Sequence, residues 1–209
     1  MMLKKLFKNK RGIVGIEAAI VLIAFIIIAA ALSYVVINMG FYTTQKTKEA
    51  MAAGLEESLT ALQLDGVVTA KTNGSGYIEY LAVPVKLSAG RAVVDLGESA
   101  AVVSVYLPNA TLMNIHKGAI STTNTTWNEL NTTLALNDNE AKFAIYNGNN
   151  NTVLESTEKA FLVIRLGDEH RINEYETVKI EVRPAKGAAL TLVRTALGGM
   201  LPDSFIDLG

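Results

Sequence analysis

Cysteine is absent from the 209 residues, and histidine (2), tryptophan (1) and proline (4) are scarce. Without thiols there is no disulfide framework and no thiolate metal site. His116 and His170 stand far apart in the chain, and Asp168-Glu169-His170, three neighbours in a turn, reads as a solvated loop because adjacent residues seldom converge on one ion. A formal net charge of −1 supplies no basic face for nucleic acid. Gly74-Ser75-Gly76 reads as a hairpin turn, since no Lys-Ser/Thr and helix follow it as a phosphate loop requires. No serine sits in a Gly-x-Ser-x-Gly elbow. Aromatic residues make up only 7% of the chain, a thin supply for an aromatic-rich cleft around paired carboxylates. No cofactor, no metal and no enzymatic site are expected.

Hydrophobic residues are plentiful at 50%, but they are unevenly spread. Lys4, Lys5, Lys8, Lys10 and Arg11 precede Gly12, and residues 13–37 are then almost wholly apolar, with Glu17 as their only charge. A helix of 25 residues rises roughly 37 Å, enough to cross a hydrocarbon core of about 30 Å. Read as a plain anchor, the segment would leave residues 1–11 in the cytoplasm and everything after Asn38 outside. Read as a secretory signal, it would be cut after Ala29-Ala30-Ala31; Glu17 and the unfinished apolar run that follows count against this. A cut between Gly12 and Ile13 would instead make the apolar segment the start of the mature chain. Sixteen large apolar side chains lie in residues 13–37, and exposing them to water would cost roughly 25–45 kcal/mol as an upper bound. Such a segment must pass from lipid directly into a shell of similar helices.

Beyond Gly40, Met51, Leu55, Leu59 and Leu62 recur at helical spacing, so one helix is expected over 13–64, closed by Asp65-Gly66. Gly40 and Gly54 are its soft points. From residue 65 to 209 the helical period gives way to β-rich runs at 77–87, 101–107, 142–146, 161–166, 177–182 and 190–193, separated by Gly, Asn and Ser. That spacing points to an all-β, sandwich-like outer domain, and hence to an α+β chain overall. Trp127 and the scattered tyrosines read as core or surface aromatics.

Lys10-Arg11-Gly12 followed by Ile-Val-Gly-Ile-Glu resembles the class III leader and mature start of archaellins (archaeal flagellins) and type IV pilins. Ala-Ala-Ile-Val-Leu-Ile-Ala-Phe-Ile-Ile, then Tyr34-Val-Val-Ile-Asn-Met-Gly-Phe and Thr43-Thr-Gln-Lys, is similar to the crenarchaeal archaellin N-terminus. Thr177-Val-Lys-Ile-Glu-Val-Arg-Pro and Gly187-Ala-Ala-Leu-Thr-Leu resemble the closing strands of the archaellin outer domain. The resemblance implies a leader at 1–12 removed by a prepilin-type peptidase, a helical homopolymer outside the cell, and an archaellum assembly platform with its ATPase as partners. An adhesive pilin with the same stalk is the nearest rival, and a membrane-anchored surface domain that binds or hydrolyses glycans is a further one.

Two kinds of site follow. Glu17, fifth in the trimmed chain, is a carboxylate in an apolar helix and needs a partner. The α-amino group of Ile13, on its own or a neighbouring chain, is the natural one, as the type IV pilin resemblance implies. Alternatively Glu17 only complements the positive end of its own helix. Five Asn-x-Ser/Thr sequons, at Asn73, Asn109, Asn124, Asn131 and Asn150, lie beyond the membrane segment in turn-like contexts and are candidate glycosylation sites.

Overall fold

The structure, a computed structural model, describes residues 10–58, 61–89, 93–123 and 126–209, with side chains from residue 15 onward. The chain divides into two compact units, Met1–Gly54 and Leu55–Gly209. The helix α1 runs over Lys10–Ser58, 49 residues, or about 73 Å at the usual rise. Alanine and leucine favour it, and no proline occurs before Pro84 to interrupt it. It begins three residues ahead of the expected Ile13, because Lys10 and Arg11 are good helix formers.

The far end of α1 differs from expectation. Residues 62–64 are not the last helical turn but a strand, β1 (Leu62–Leu64). Leu62 is fully buried, and β1 pairs antiparallel with a longer strand, Leu62 opposite Leu87 and Leu64 opposite Val85. Burying Leu62 and satisfying a sheet edge outweighs extending a helix whose Met51 and Leu55 stay exposed. Gly66 therefore follows a strand and closes no helix. Leu59 lies outside the described residues.

The β-rich domain continues with β2 (Thr69–Thr72), β3 (Ile78–Leu87), β4 (Val93–Asp95), β5 (Ala101–Tyr106), β6 (Thr111–Leu112) and β7 (His116–Thr122). A short helix α2 (Trp127–Leu134) follows, then β8 (Glu140–Tyr146), β9 (Val153–Glu155), β10 (Lys159–Arg165), β11 (Thr177–Pro184), β12 (Leu190–Thr195) and β13 (Phe205–Asp207). A seven-stranded sheet has the order β13-β2-β3-β10-β8-β7, with β1 sharing the β2 edge of β3. A four-stranded sheet has the order β12-β11-β5-β6, and β4 pairs with β9. The pair β7–β8 is parallel, so its connection must cross over, and α2 is that crossover.

Alternation explains the layering. In β11, Val178, Ile180 and Val182 are buried while Thr177, Lys179, Glu181 and Arg183 point out. These valines and isoleucines share one core with Leu81, Val83 and Val85 of β3, Phe143 and Ile145 of β8, and Leu162 and Ile164 of β10. The two larger sheets thus bury their inner faces together. The outer face of the seven-stranded sheet carries a second, smaller cluster: Tyr80, Ala144 and Val163 beneath Leu134 and Leu136, with Trp127 and Leu130 of α2 packed on them. Tyr80 reaches that face through a bulge. Lys71 pairs with Tyr80 and Thr72 with Ile78, so Glu79 is the extra residue and the in-out phase of β3 flips there.

Two polar devices secure exposed joints. Pro84 sits within β3 at the gap between the stretches paired with β2 and β1, where no donor is needed, and its carbonyl accepts from the Asp65 N–H at 3.0 Å. The C-terminus of α2 ends at Ala135 in a left-handed conformation (φ 44°), and Lys142 Nζ donates to the Leu134 carbonyl at 2.8 Å.

Asp65 and His116 are two of the groups whose titration makes the domain acid-sensitive. Asp65 accepts from Lys159 and Lys86, each at 2.6 Å, and these bonds, Lys159 first, hold its carboxyl below the ordinary 3.8. Burial lowers the pKa of His116 below its ordinary 6.5; Nε2 lies 2.9 Å from the Leu96 carbonyl, and Nδ1 has no hydrogen-bond partner among the described residues. In both cases the folded state binds fewer protons than the unfolded, so stability is present above the ordinary value and lost as pH falls below it. The melting temperature of the domain should therefore fall as the pH drops below about 6.5 through His116, and again below about 3.8 through Asp65. His116→Gln, which keeps a donor for Leu96, should flatten the first step in a pH series of thermal melts and leave the second unchanged. An unchanged first step would show that His116 does not carry it.

Candidate assembly site

The surface that most needs covering is α1. Ile20, Val21, Leu22 and Ile23 span one turn and are 61%, 67%, 61% and 57% exposed, so no face of the helix is sheltered. The same holds for Phe25, Ile26, Ile27 and Ile28, and on to Ile37, Phe41 and Tyr42. A helix that is apolar all round belongs inside lipid or inside a bundle of helices. It is also long and apolar enough to cross a membrane.

Its polar groups suit a dry setting. Ser33 donates to the Ala29 carbonyl, Thr43 to Met39 and Thr44 to Gly40, each at 2.8 Å, and Thr47 to Thr43 at 2.9 Å. These hydroxyls need no partner from a neighbour or from water. After Glu17 the next charge is Lys46, paired with Glu49 at 2.6 Å. Glu17 is exposed and forms no ion pair among the described residues. Gly12 and Ile13 lie in the first turn of α1, and their surroundings are outside what is described.

The sequons fall into different settings. Asn109 is exposed in the β5–β6 hairpin, and Asn150 is exposed with φ 69° in the loop before β9. Asn73 is half-buried, and its Oδ1 accepts from the N–H groups of Ser75 (3.0 Å) and Tyr77 (2.9 Å), fastening the β2–β3 turn. Asn131 is not in a turn at all: it lies half-buried within α2, where its carbonyl accepts from Ala135. Asn124 lies outside the described residues.

His116 is a core residue, edge-on to Phe143 with ring centroids 5.2 Å apart. His170 Nδ1 is 3.1 Å from Asn139 Oδ1, and Asp168 pairs with Arg171. Among the described residues no three such side chains gather as a metal site.

A feature missed in the sequence is an apolar groove of about 540 Å3 on the outer face of the seven-stranded sheet, beside α2. Trp127, Tyr146, Phe161 and Phe205 line it. The signal was available, because Trp127, Leu130 and Leu134 stand at i, i+3 and i+7, a helical stripe inside the Asn/Thr-rich stretch.

Comparison with known proteins bears on the whole chain. The model of the archaeal-type flagellin family matches residues 12–194. The chain is 43% identical over 205 residues to probable flagellin 1 of Aeropyrum pernix, covering 97% of this chain and 100% of that one. It is 31% identical over 219 residues to probable flagellin 2 of Archaeoglobus fulgidus, covering 98% and 96%. Archaeal flagellin FlaB1 from Methanocaldococcus jannaschii has the same fold, with a TM-score of 0.60 at 19% identity over 70% of this chain and 95% of that one. The archaeal flagellum of Methanospirillum hungatei strain JF1 gives a TM-score of 0.58 at 25% identity over 92% of this chain and 99% of that one. An unshielded apolar helix is what a subunit of such a polymer requires, and the chain belongs to the archaeal-type flagellin family, as a structural subunit of the archaeal flagellar filament.

Proposed function

We propose that the chain is made as a membrane-inserted precursor, trimmed between Gly12 and Ile13 by a prepilin-type peptidase, and moved into the filament by a membrane assembly platform and its ATPase. The observation that carries this reading is α1, exposed on every side from Ile16 to Tyr42 and without a charge from Ala18 onward to that point. Only removal of the basic stretch at Lys4–Arg11 lets the end of that helix enter an apolar bundle, because each buried unpaired charge costs several kcal/mol or more. Its role is packing rather than catalysis. Filaments sheared from the cell surface should contain this chain, and N-terminal sequencing should find it beginning at Ile13. A start at Met1 or Leu32 would overturn the processing step; filaments without the chain would overturn the whole reading.

Glu17 is proposed to pair with the Ile13 amine of a neighbouring subunit. The pair would leave one partner buried alone in Glu17→Gln, typically a loss of about 3–5 kcal/mol, repeated at every subunit. A carboxylate that only complements its own helix end is worth about 0.3–1 kcal/mol. Glu17→Gln should therefore lower filament yield and melting temperature while insertion and trimming proceed. Filaments of equal yield and equal melting would leave only the helix-end role.

Of the sequons, Asn109 and Asn150 are proposed as the occupied ones, being exposed on loops. Asn73 is committed to its own turn and Asn131 to a helix. Glycopeptide mass spectrometry should find sugar at Asn109 and Asn150 in a larger fraction of subunits than at Asn73 and Asn131; the reverse order would refute the ranking.

A further inference from the structure

The groove beside α2 is out of place on a soluble surface. The outward residues of a sheet are normally polar, yet here Phe161 is 38% and Phe205 is 56% exposed, with Trp127 edge-on to Phe205 at 5.7 Å. Its rim is basic. Lys71, on β2 opposite Phe205, is half-buried and forms no ion pair among the described residues, and Lys159 lies along the same wall, held by Asp65.

A second apolar feature protrudes from the loops at the start of β11 and the end of β12. Tyr175, Leu197 and Leu201 are 75%, 53% and 70% exposed. The protrusion is fixed in shape. The Tyr175 N–H donates to the Ala196 carbonyl at 3.0 Å, and Glu174 Oε1 accepts from the N–H groups of Gly199 (2.8 Å) and Met200 (3.2 Å). The Tyr175 ring lies so close to Gly198 that a Cβ there would overlap it. The rim of this knob is acidic. Residues 173–176 and 196–204 contain Glu174, Glu176 and Asp203 and no lysine or arginine.

Within one chain the knob does not fill the groove, because both remain exposed. We propose that the groove is the socket for the Tyr175–Leu197–Leu201 knob of a second copy of this chain. The charges of the two rims are opposite, and the occupant must be abundant beside every subunit, which in a homopolymer is another subunit. A patch that docks on a different patch of the next copy is a head-to-tail contact, which propagates a helical polymer wherever its rotation does not close into a ring. The contact rests on the filament reading but is separate from the α1 bundle, so the two can fail independently.

The chain has no cysteine, which makes cross-linking selective. Filaments of the Phe161→Cys, Leu201→Cys double variant, oxidised and then dissolved in denaturant, should give a ladder of covalent dimers, trimers and longer chains. Each single variant should give monomer. Normal filaments with no ladder would assign the groove to another occupant, a glycan of this chain among them, and overturn the contact while the filament reading stood. A ladder or dimers from a single variant would also overturn it, since the contact would then be self-paired. Should the double variant fail to polymerise, Lys71→Glu decides. It should leave less polymer at a given subunit concentration by setting like charges face to face, and unchanged polymerisation would count against the contact.

Discussion

The apolar surface of α1 is the constraint from which the rest follows. Between Gly12 and Gln45 the chain carries a single charge, Glu17, and the side chains of four successive residues, Ile20 to Ile23, point every way round the helix with more than half their surface exposed. Burial of that surface is worth tens of kcal/mol, roughly 25–45 for residues 13–37, more than the whole stability of an ordinary domain. No fold of the remaining residues could cover it without ceasing to be a domain of its own. The helix therefore demands lipid first and neighbours afterwards, and it is self-sufficient in hydrogen bonds so that either setting is tolerable. The hydroxyls of Ser33, Thr43, Thr44 and Thr47, each turned back to the carbonyl four residues earlier, show that economy.

The β-rich unit meets the opposite demand. It has to be stable before and after assembly, so it closes its own core between the two larger sheets. Val103, Val105, Ile180 and Val182 from one sheet and Leu81, Phe143, Leu162 and Ile164 from the other are all essentially inaccessible. What holds the first strand to this core is a mixture of packing at Leu62 and charge at Asp65, which spans Lys86 on β3 and Lys159 on β10. These contacts place the first strand of the sheet under one local lock. Acid loosens that lock, because the carboxylate must ionise to hold both lysines.

Much of this was legible in the sequence, and the failures have physical causes. The strands at 78–87, 101–106 and 177–184 announce themselves because each is long enough for the in-out alternation to repeat. Strands of two to four residues, such as β6, β9 and β13, carry too little pattern to be read, and exist because a neighbouring strand offers them partners. The segment at 62–64 reads as helix in the sequence because Leu55 and Leu62 are seven apart, a spacing a helix and a coincidence share. Only the tertiary context of Leu87 and Val85 decides between them. The composition of the loop region concealed α2, since Asn and Thr are weak helix formers and its stability comes from packing Trp127, Leu130 and Leu134 on the sheet. The exposed aromatics of the groove were invisible for a related reason. Phe161 looks like one more core residue until β10 is seen to place it on the outer face, between buried Ala160 and Leu162.

A filament needs both strength and register, and the two are supplied by different chemistry. Contact between α1 helices is strong but carries little direction, because a surface that is apolar all round accepts many rotations and many axial offsets at similar free energy. Nothing in residues 18–37 would prefer one stagger over the next. A buried carboxylate can prefer one, since Glu17 must find a partner within hydrogen-bond reach, and a polar group of this kind typically fixes register at a cost in stability. Shaped surfaces of the β-rich domain can prefer one too. A rigid knob with an acidic rim and a socket with a basic rim discriminate against offsets that would strand charge against apolar surface. The inner helices would then set how firmly subunits are held, and the sparse polar and shaped features would set which helical lattice they adopt.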